Sequence, residues 1–452
     1  MKPAADQIRD SDVRGVACRA RQAARLLAML SDDQRRAALL AAADHLVARS
    51  EEILAANMQD LITARQAVEA GAMTGAMLER LKVRENGVAE MASRVRQVAS
   101  LPDPIGQTLM ATELDDGLTL YKISCPLGVI GIVFESRPDV IPQVASLALR
   151  SGNAVILKGG AEAAHTNQVL VSIWRDALER FTKMSPDVLN LLHTREDVAE
   201  LLTLYKEIDL IIPRGSRQFV RHISETSDIP VLGHGEGICY VYVDRAADMK
   251  KALDVSLDSK VQYPAACNAM ETLLVHHDIA EQFLPEMIAR FQAANVEVRG
   301  CSRTVKLAGS PIIPASDKDW ATEYSDLIVS IKVVASTDEA IEHIRQFGSG
   351  HTESIVTENR ETAKQFMDTV DAASVFHNAS TRFADGYRYG LGAELGISTS
   401  KLHARGPVGL EGLTTYKYKL IGNGHTVDSY EKGERSLKHR SLDIRHVPDG
   451  AN

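Results

Sequence analysis

Cys267 stands in Tyr263-Pro264-Ala265-Ala266-Cys267-Asn268-Ala269, a small-residue loop just before the apolar run Thr272-Leu273-Leu274-Val275. Attack on an acyl carbon needs a thiolate with an open trajectory, and two alanines on one side with Asn-Ala on the other leave that approach clear. A solitary cysteine is more often a small buried hydrophobe than a nucleophile, so Cys267 takes its meaning from what surrounds it. The other four, Cys18, Cys125, Cys239 and Cys301, are scattered without a Cys-x-x-Cys pair, which suggests neither a disulfide framework nor a metal site.

Three further clusters follow apolar runs. Leu157-Lys158-Gly159-Gly160 puts a cation and two glycines at a strand end, where α/β sheets bind ligands. Ile212-Pro213-Arg214-Gly215-Ser216-Arg217 repeats that arrangement with Gly-Ser opening a helix, whose free N–H groups attract anions. Each alone reads as a cap with solvated charges; flanking one sheet, they suit a phosphate-rich cofactor. Phe134-Glu135-Ser136-Arg137-Pro138-Asp139 reads either as the lip of a substrate pocket or as a surface ion pair. The glycine runs 233–237 and 390–396 read as turns, and neither a P-loop nor a Gly-x-Gly-x-x-Gly strand–helix fingerprint is present.

The elements that must hold these residues are legible in outline. Ser31 before Asp32 and Asp33 is an N-cap, Ala38, Leu39, Ala42, Leu46 and Val47 recur at helical spacing, and a second helix runs from about Ser50 to Gly71. Pro102, Pro104 and Gly106 end this helical block, and Leu118 to Ile123 reads as a strand. Continuous apolar runs at Val129–Phe134, Ala154–Leu157 and Leu210–Ile212 suit strands buried on both faces of a parallel sheet, with helices over Pro142–Leu149 and Thr166–Phe181 between them. A second alternating region carries strands at Cys239–Val243, Thr272–Val275, Ile328–Val334 and Ser354–Val356.

With 452 residues, 45% of them hydrophobic, two or three domains are expected. A net charge of -9 argues against nucleic acid or an anionic membrane as partner. No apolar stretch reaches the roughly 20 residues of a membrane span and no signal peptide opens the chain, so a cytoplasmic location is expected.

Four motifs spread over the chain resemble the gamma-glutamyl phosphate reductases, or glutamate-5-semialdehyde dehydrogenases, of the aldehyde dehydrogenase superfamily. They are Gly131-Ile-Val-Phe-Glu-Ser-Arg-Pro-Asp-Val140, Gly152-Asn-Ala-Val-Ile-Leu-Lys-Gly-Gly160, Asp209-Leu-Ile-Ile-Pro-Arg-Gly-Ser-Arg217 and Gln262-Tyr-Pro-Ala-Ala-Cys-Asn-Ala-Met-Glu271. The resemblance implies an aldehyde dehydrogenase-like α/β fold with two parallel-sheet α/β domains and a small β flap. The Rossmann-like cofactor domain would take 1–107, 124–232 and 375–404, the catalytic domain 233–374, and an oligomerisation flap 108–123 and 405–422, followed by a polar tail over 425–452.

It further implies Cys267 as nucleophile, Glu135, Arg137 and Asn268 toward substrate, and Lys158, Gly159, Gly215, Ser216 and Glu323 toward NADPH/NADP, without a metal. The family's water-activating glutamate is replaced by Val231, and its Trp-Asn-aromatic run by Glu135-Ser136-Arg137, so a thioester would meet hydride or phosphate rather than water. The expected reaction is NADPH-dependent reduction of L-glutamyl 5-phosphate to L-glutamate 5-semialdehyde and phosphate, the second step of proline biosynthesis. A homo-oligomer is expected, with a separate glutamate 5-kinase supplying the acyl phosphate by contact or diffusion. The rival readings are a general aldehyde dehydrogenase and a non-catalytic cofactor-binding scaffold. Arg388, Arg405 and His351 are candidates for a substrate-carboxylate clamp, each also readable as structural.

Overall fold

Ser31 caps its helix as its sequence suggests: its side chain accepts from the Gln34 N–H while Gln34 reaches back to the Ser31 backbone, satisfying two donors that a helix start leaves open. The structure, a computed structural model, describes residues 12–444 apart from Glu85, Lys183, His234 and Gly235. It divides into two units, Met1–Gly215, His222–Leu232 and Gly409–Asn452 over their described residues, and Ser216–Arg221 with Gly233–Val408.

The first unit opens with helices α1 (Val13–Leu27), α2 (Asp32–Ala48), α3 (Ser50–Glu69), α4 (Gly75–Leu81) and α5 (Gly87–Ser100). After the flap strands β1 (Thr108–Asp115) and β2 (Leu118–Pro126) come β3 (Val129–Phe134), α6 (Val140–Arg150), β4 (Ala154–Lys158), α7 (Ala164–Ala177), β5 (Leu189–Leu192), α8 (Arg195–Leu201), β6 (Leu210–Arg214) and α9 (Arg217–Thr226). Strands β3 to β6 make a parallel sheet ordered β5-β4-β3-β6. Every residue of β3 is buried, as a strand covered on both faces requires.

The second unit is built on a seven-stranded parallel sheet. Along the chain run β7 (Cys239–Val243), α10 (Met249–Val261), β8 (Met270–His276), α11 (His277–Ala293), β9 (Glu297–Gly300), α12 (Ser302–Leu307), β10 (Ile313–Pro314), β11 (Ile328–Val334), α13 (Thr337–Phe347), β12 (Thr352–Val356), α14 (Arg360–Thr369) and β13 (Ser374–His377). The strand order is β10-β9-β11-β8-β7-β12-β13. A short antiparallel pair, β14 (Ile397–Ser398) and β15 (Gly406–Pro407), follows. Residues 375–404, which the sequence reading attaches to the cofactor domain, cluster with this unit: β13 continues its sheet beside β12, and Asn268 holds the Ala384 carbonyl at 2.7 Å.

Strand β16 (Thr414–Ile421) returns to the flap, pairing antiparallel with β2 from Thr414↔Pro126 to Ile421↔Thr119. The region after Gly424 differs from the loose polar tail expected. Helix α15 (Val427–Glu431) leads to β17 (Arg440–Ser441), which pairs with β1. Its charges find carboxylates on or beside β1, with Tyr430 Oη donating to Asp115 at 3.0 Å and Arg440 reaching Glu113 at 2.6 Å. Such pairing leaves no periodic apolar trace in sequence. Residues 445–452 of that tail lie outside the described residues, as do His234 and Gly235 of the glycine run 233–237.

Candidate active site

Strand β7 begins beneath the nucleophile loop, and that passage needs a glycine. A Cβ on Gly237 would lie 2.1 Å from the Cys267 carbonyl oxygen, so no side chain is tolerated there without moving the loop. Two turn bonds, Ala266 N–H to Tyr263 O at 3.2 Å and Ala269 N–H to Ala266 O at 2.9 Å, fold the loop back and leave Cys267 partly exposed. Below it, the Cys239 Sγ donates to the Cys267 carbonyl at 3.3 Å. Burial raises the Cys239 thiol well above its ordinary range, so it stays protonated as that bond requires. Asn268 is buried, and its committed amide nitrogen fixes the loop to Ala384.

Glu323 also meets this turn, accepting the Gly237 N–H on Oε2 at 3.0 Å. Its own position is set from below. Lys260, at the end of α10, contacts Glu271 of β8 at 2.6 Å with both side chains buried, and Glu271 Oε1 accepts the Ser325 N–H at 3.2 Å. Ser325 adopts φ 52, a left-handed conformation that costs a serine energy and is held here by that bond. Burial pushes the Glu271 carboxyl up to about 7 against the pull of Lys260, and lowers Lys260 against the pull of Glu271. A buried strut thus runs from Lys260 through Glu271 and the 323–325 turn to Gly237 and the nucleophile loop. The sequence reading missed it, although a carboxylate inside the apolar run of β8 was its visible sign.

In the first unit, the expected residues gather at one edge of the sheet. Register places Val133 beside both Lys158 and Pro213, and Phe134 beside Arg214, so Glu135, Arg137, Lys158, Gly159 and Gly215 all follow the carboxyl ends of adjacent strands. Glu135 donates its N–H to the Arg214 carbonyl at 3.0 Å and is half-buried, whereas Arg137 is exposed. Between them, Ser136 is held at φ 43 by Glu162, which accepts from its N–H at 2.7 Å and its hydroxyl at 2.6 Å. Gly159 is required for close approach, since a Cβ there would lie 2.2 Å from the Asn167 amide nitrogen. Ser216 opens α9, its Oγ accepting the Phe219 N–H at 3.4 Å.

Lys158 is half-buried and has no hydrogen-bond or ion-pair partner among the described residues. Burial lowers its ammonium, an effect opposed chiefly by the field of Glu162. A desolvated cation next to glycine backbone at a strand end fits the hydroxyl- and phosphate-rich half of a dinucleotide. Val231 forms a bridge to Ile211 of β6 and brings no ionisable group.

The three proposed carboxylate clamps fare differently. Arg405 is paired with Asp371 at 2.8 Å, and His351 is buried with Nδ1 2.9 Å from Thr352 Oγ1, so both serve the fold. Arg388 is exposed and donates to the Arg382 carbonyl at 3.0 Å. Arg382 itself is buried close to Cys267 and went unnoticed in sequence, where Ser380-Thr381-Arg382-Phe383 carries no local signal.

The chain matches the aldehyde dehydrogenase family over residues 4–326. It is 54% identical over 431 residues to the gamma-glutamyl phosphate reductase of Natronomonas pharaonis, covering 95% of this chain and 98% of that one. Its identity to the gamma-glutamyl phosphate reductase of Pelotomaculum thermopropionicum is 51% over 431 residues, with coverage of 95% and 98%. Among solved structures, the gamma-glutamyl phosphate reductase of Thermotoga maritima superposes with a TM-score of 0.88 at 40% identity, covering 92% of this chain and 99% of that one. A thiol on an open loop before a buried parallel strand, ligand-suited strand ends and these likenesses agree, and the chain belongs to the aldehyde dehydrogenase family, within its gamma-glutamyl phosphate reductase branch.

Proposed function

We propose that this chain reduces L-glutamyl 5-phosphate to L-glutamate 5-semialdehyde and phosphate with NADPH, through a thioacyl-enzyme on Cys267, in proline biosynthesis. The observation that carries the reading is the nucleophile loop seated on Gly237, in a chain whose hydrolytic position is Val231. The Cys267 thiolate adds to the δ-carbonyl, the backbone N–H of Cys267 and its surroundings steady the oxyanion, and the C–O bond to phosphate breaks. Arg137, exposed just after β3, suits the departing phosphate, and half-buried Glu135 is assigned to substrate with it. Asn268 serves by holding the loop to Ala384.

Lys158, Gly159, Gly215 and Ser216 would hold the adenosine and pyrophosphate parts of NADPH, and Glu323 its nicotinamide ribose. Bound NADPH supplies the hydride that reduces the thioester. Cys267 then leaves the hemithioacetal as thiolate, and no water needs activating at any stage. An acyl phosphate is labile, so a separate kinase acting on glutamate must supply it. The exposed β16 edge of the flap is the surface we assign to a homo-oligomer.

Supplying the chain with glutamate, ATP and a glutamate 5-kinase should give NADPH oxidation that a thiol alkylator stops. NADPH oxidation that persists after alkylation would remove the thioacyl reading, and no oxidation at all would promote the scaffold.

A further inference from the structure

Arg382 lies on the single 3-10 turn Thr381–Phe383 after β13 and is only 7% exposed. The turn is pinned to α10: Ser259 Oγ accepts the Thr381 N–H at 3.2 Å and donates to Ser380 Oγ at 3.2 Å, and Ser380 Oγ accepts the Arg382 N–H at 3.2 Å. The guanidinium is aimed as well as buried. Its Nε donates to Gln262 Oε1 at 2.9 Å, and its carbon stands 5.8 Å from the centre of the Tyr263 ring. Gln262 and Tyr263 begin the nucleophile loop, and Ala384, two residues beyond Arg382, is the group Asn268 holds at 2.7 Å.

The two terminal nitrogens of this fork have no hydrogen-bond or ion-pair partner among the described residues. A guanidinium largely withdrawn from water without a carboxylate in contact is costly, and a fold tolerates it where a ligand provides the missing charge. The nearby charges do not provide it. Asp385 sits 3.6 Å from Arg388 instead, and Asp385 and Asp258 reach Arg382 only through their fields. Burial disfavours the Arg382 charge first and Arg388 second, whereas a negative Cys267 favours it. A locked planar fork with two free donors matches a carboxylate or a phosphoryl group in bidentate geometry.

We propose that Arg382 is the oxyanion clamp for the acyl substrate at Cys267, binding its α-carboxylate or its phosphoryl group. The assignment rests on the thioacyl reading above. It is tested with the full chain in the direction semialdehyde plus phosphate plus NADP, comparing Arg382→Met, Arg382→Lys and Arg382→Ala with the unaltered protein. Removing a buried charge-assisted contact should lower kcat/KM by about 100-fold, with the KM for NADP within about twofold and part of the loss restored to Arg382→Ala by added guanidinium. Arg382→Lys, which keeps the charge and stem, covers the case in which Arg382→Met does not fold.

If the α-carboxylate is the ligand, the preference for glutamate semialdehyde over pentanal collapses while the KM for phosphate stays. If the phosphoryl group is the ligand, the KM for phosphate rises and the aldehyde preference stays. Unchanged constants on both sides would overturn the assignment. So would an effect confined to the pH dependence of Cys267 alkylation, since Arg382 would then act on the thiol alone. Absence of thiol-dependent turnover in the unaltered protein would instead strike the thioacyl reading itself.

Discussion

Two residues matter to the proposed chemistry by what they lack: among the described residues Lys158 has no counter-charge in contact, and Val231 has no ionisable group. Lys158→Met is expected to raise the KM for NADPH about 10-fold, the scale of one charge-assisted contact, with the alkylation rate of Cys267 unchanged. Glu271 offers a test through pH. Its folded-state value of about 7 lies above the 4.5 of an ordinary glutamate. Between those values the folded chain keeps a proton that the unfolded chain has lost. The resulting stabilisation, about 3 kcal/mol, is full below pH 4.5 and is lost as pH rises through 7. Glu271→Gln should therefore flatten the fall of Tm between pH 5 and 7, measured by thermal unfolding. His343, lowered by burial to about 4, acts in the opposite direction below pH 6.5, so the difference between Glu271→Gln and the unaltered chain carries the test.

At the scale of elements, the nucleophile loop, the start of β7 and the 323–325 turn form one mechanical piece because Gly237 touches both of the others. Gly237→Ala should fold yet lower kcat by about 10- to 100-fold, since displacements of an ångström at a reacting centre cost on that order. A steady-state assay beside a circular dichroism spectrum checks this, and an unchanged kcat would mean that the loop is free to shift. Much of this architecture was legible in sequence, because runs such as Val129–Phe134 and Cys239–Val243 are wholly apolar and become strands with those same bounds. Strands β5 and β9 escaped because Asn190 and Arg299 break their short apolar runs, and β13 because it offers only Val375 and Phe376 between Ser374 and His377. The site divided likewise. Cys267, Lys158 and Gly215 stand in telling local sequence, whereas Arg382 and the Lys260–Glu271 strut are set by contacts between distant segments. The strut turn, 323–325, is held by contacts to residues outside it, Glu323 to Gly237, Tyr324 to Asp319 and Ser325 to Glu271 of β8.

For the whole molecule, the flap is the part whose surface asks for a partner. Strand β16 is a sheet edge with Tyr416, Tyr418, Leu420 and Ile421 all exposed, and an unpaired edge of this kind invites association. Tyr418→Asp with Leu420→Asp should lower the sedimenting mass while leaving each chain folded; an unchanged mass would overturn the assignment of this edge to a homo-oligomer. The central claim is that a thioester forms on Cys267 and is discharged by hydride or phosphate, never by water. Its most direct test is the oxidation of glutamate 5-semialdehyde by NADP with and without phosphate, in the unaltered chain and in Cys267→Ser. The expected result is one equivalent of NADPH per chain without phosphate, sustained turnover once phosphate is added, and neither in Cys267→Ser. Sustained NADPH formation without phosphate, or a burst in Cys267→Ser, would contradict it.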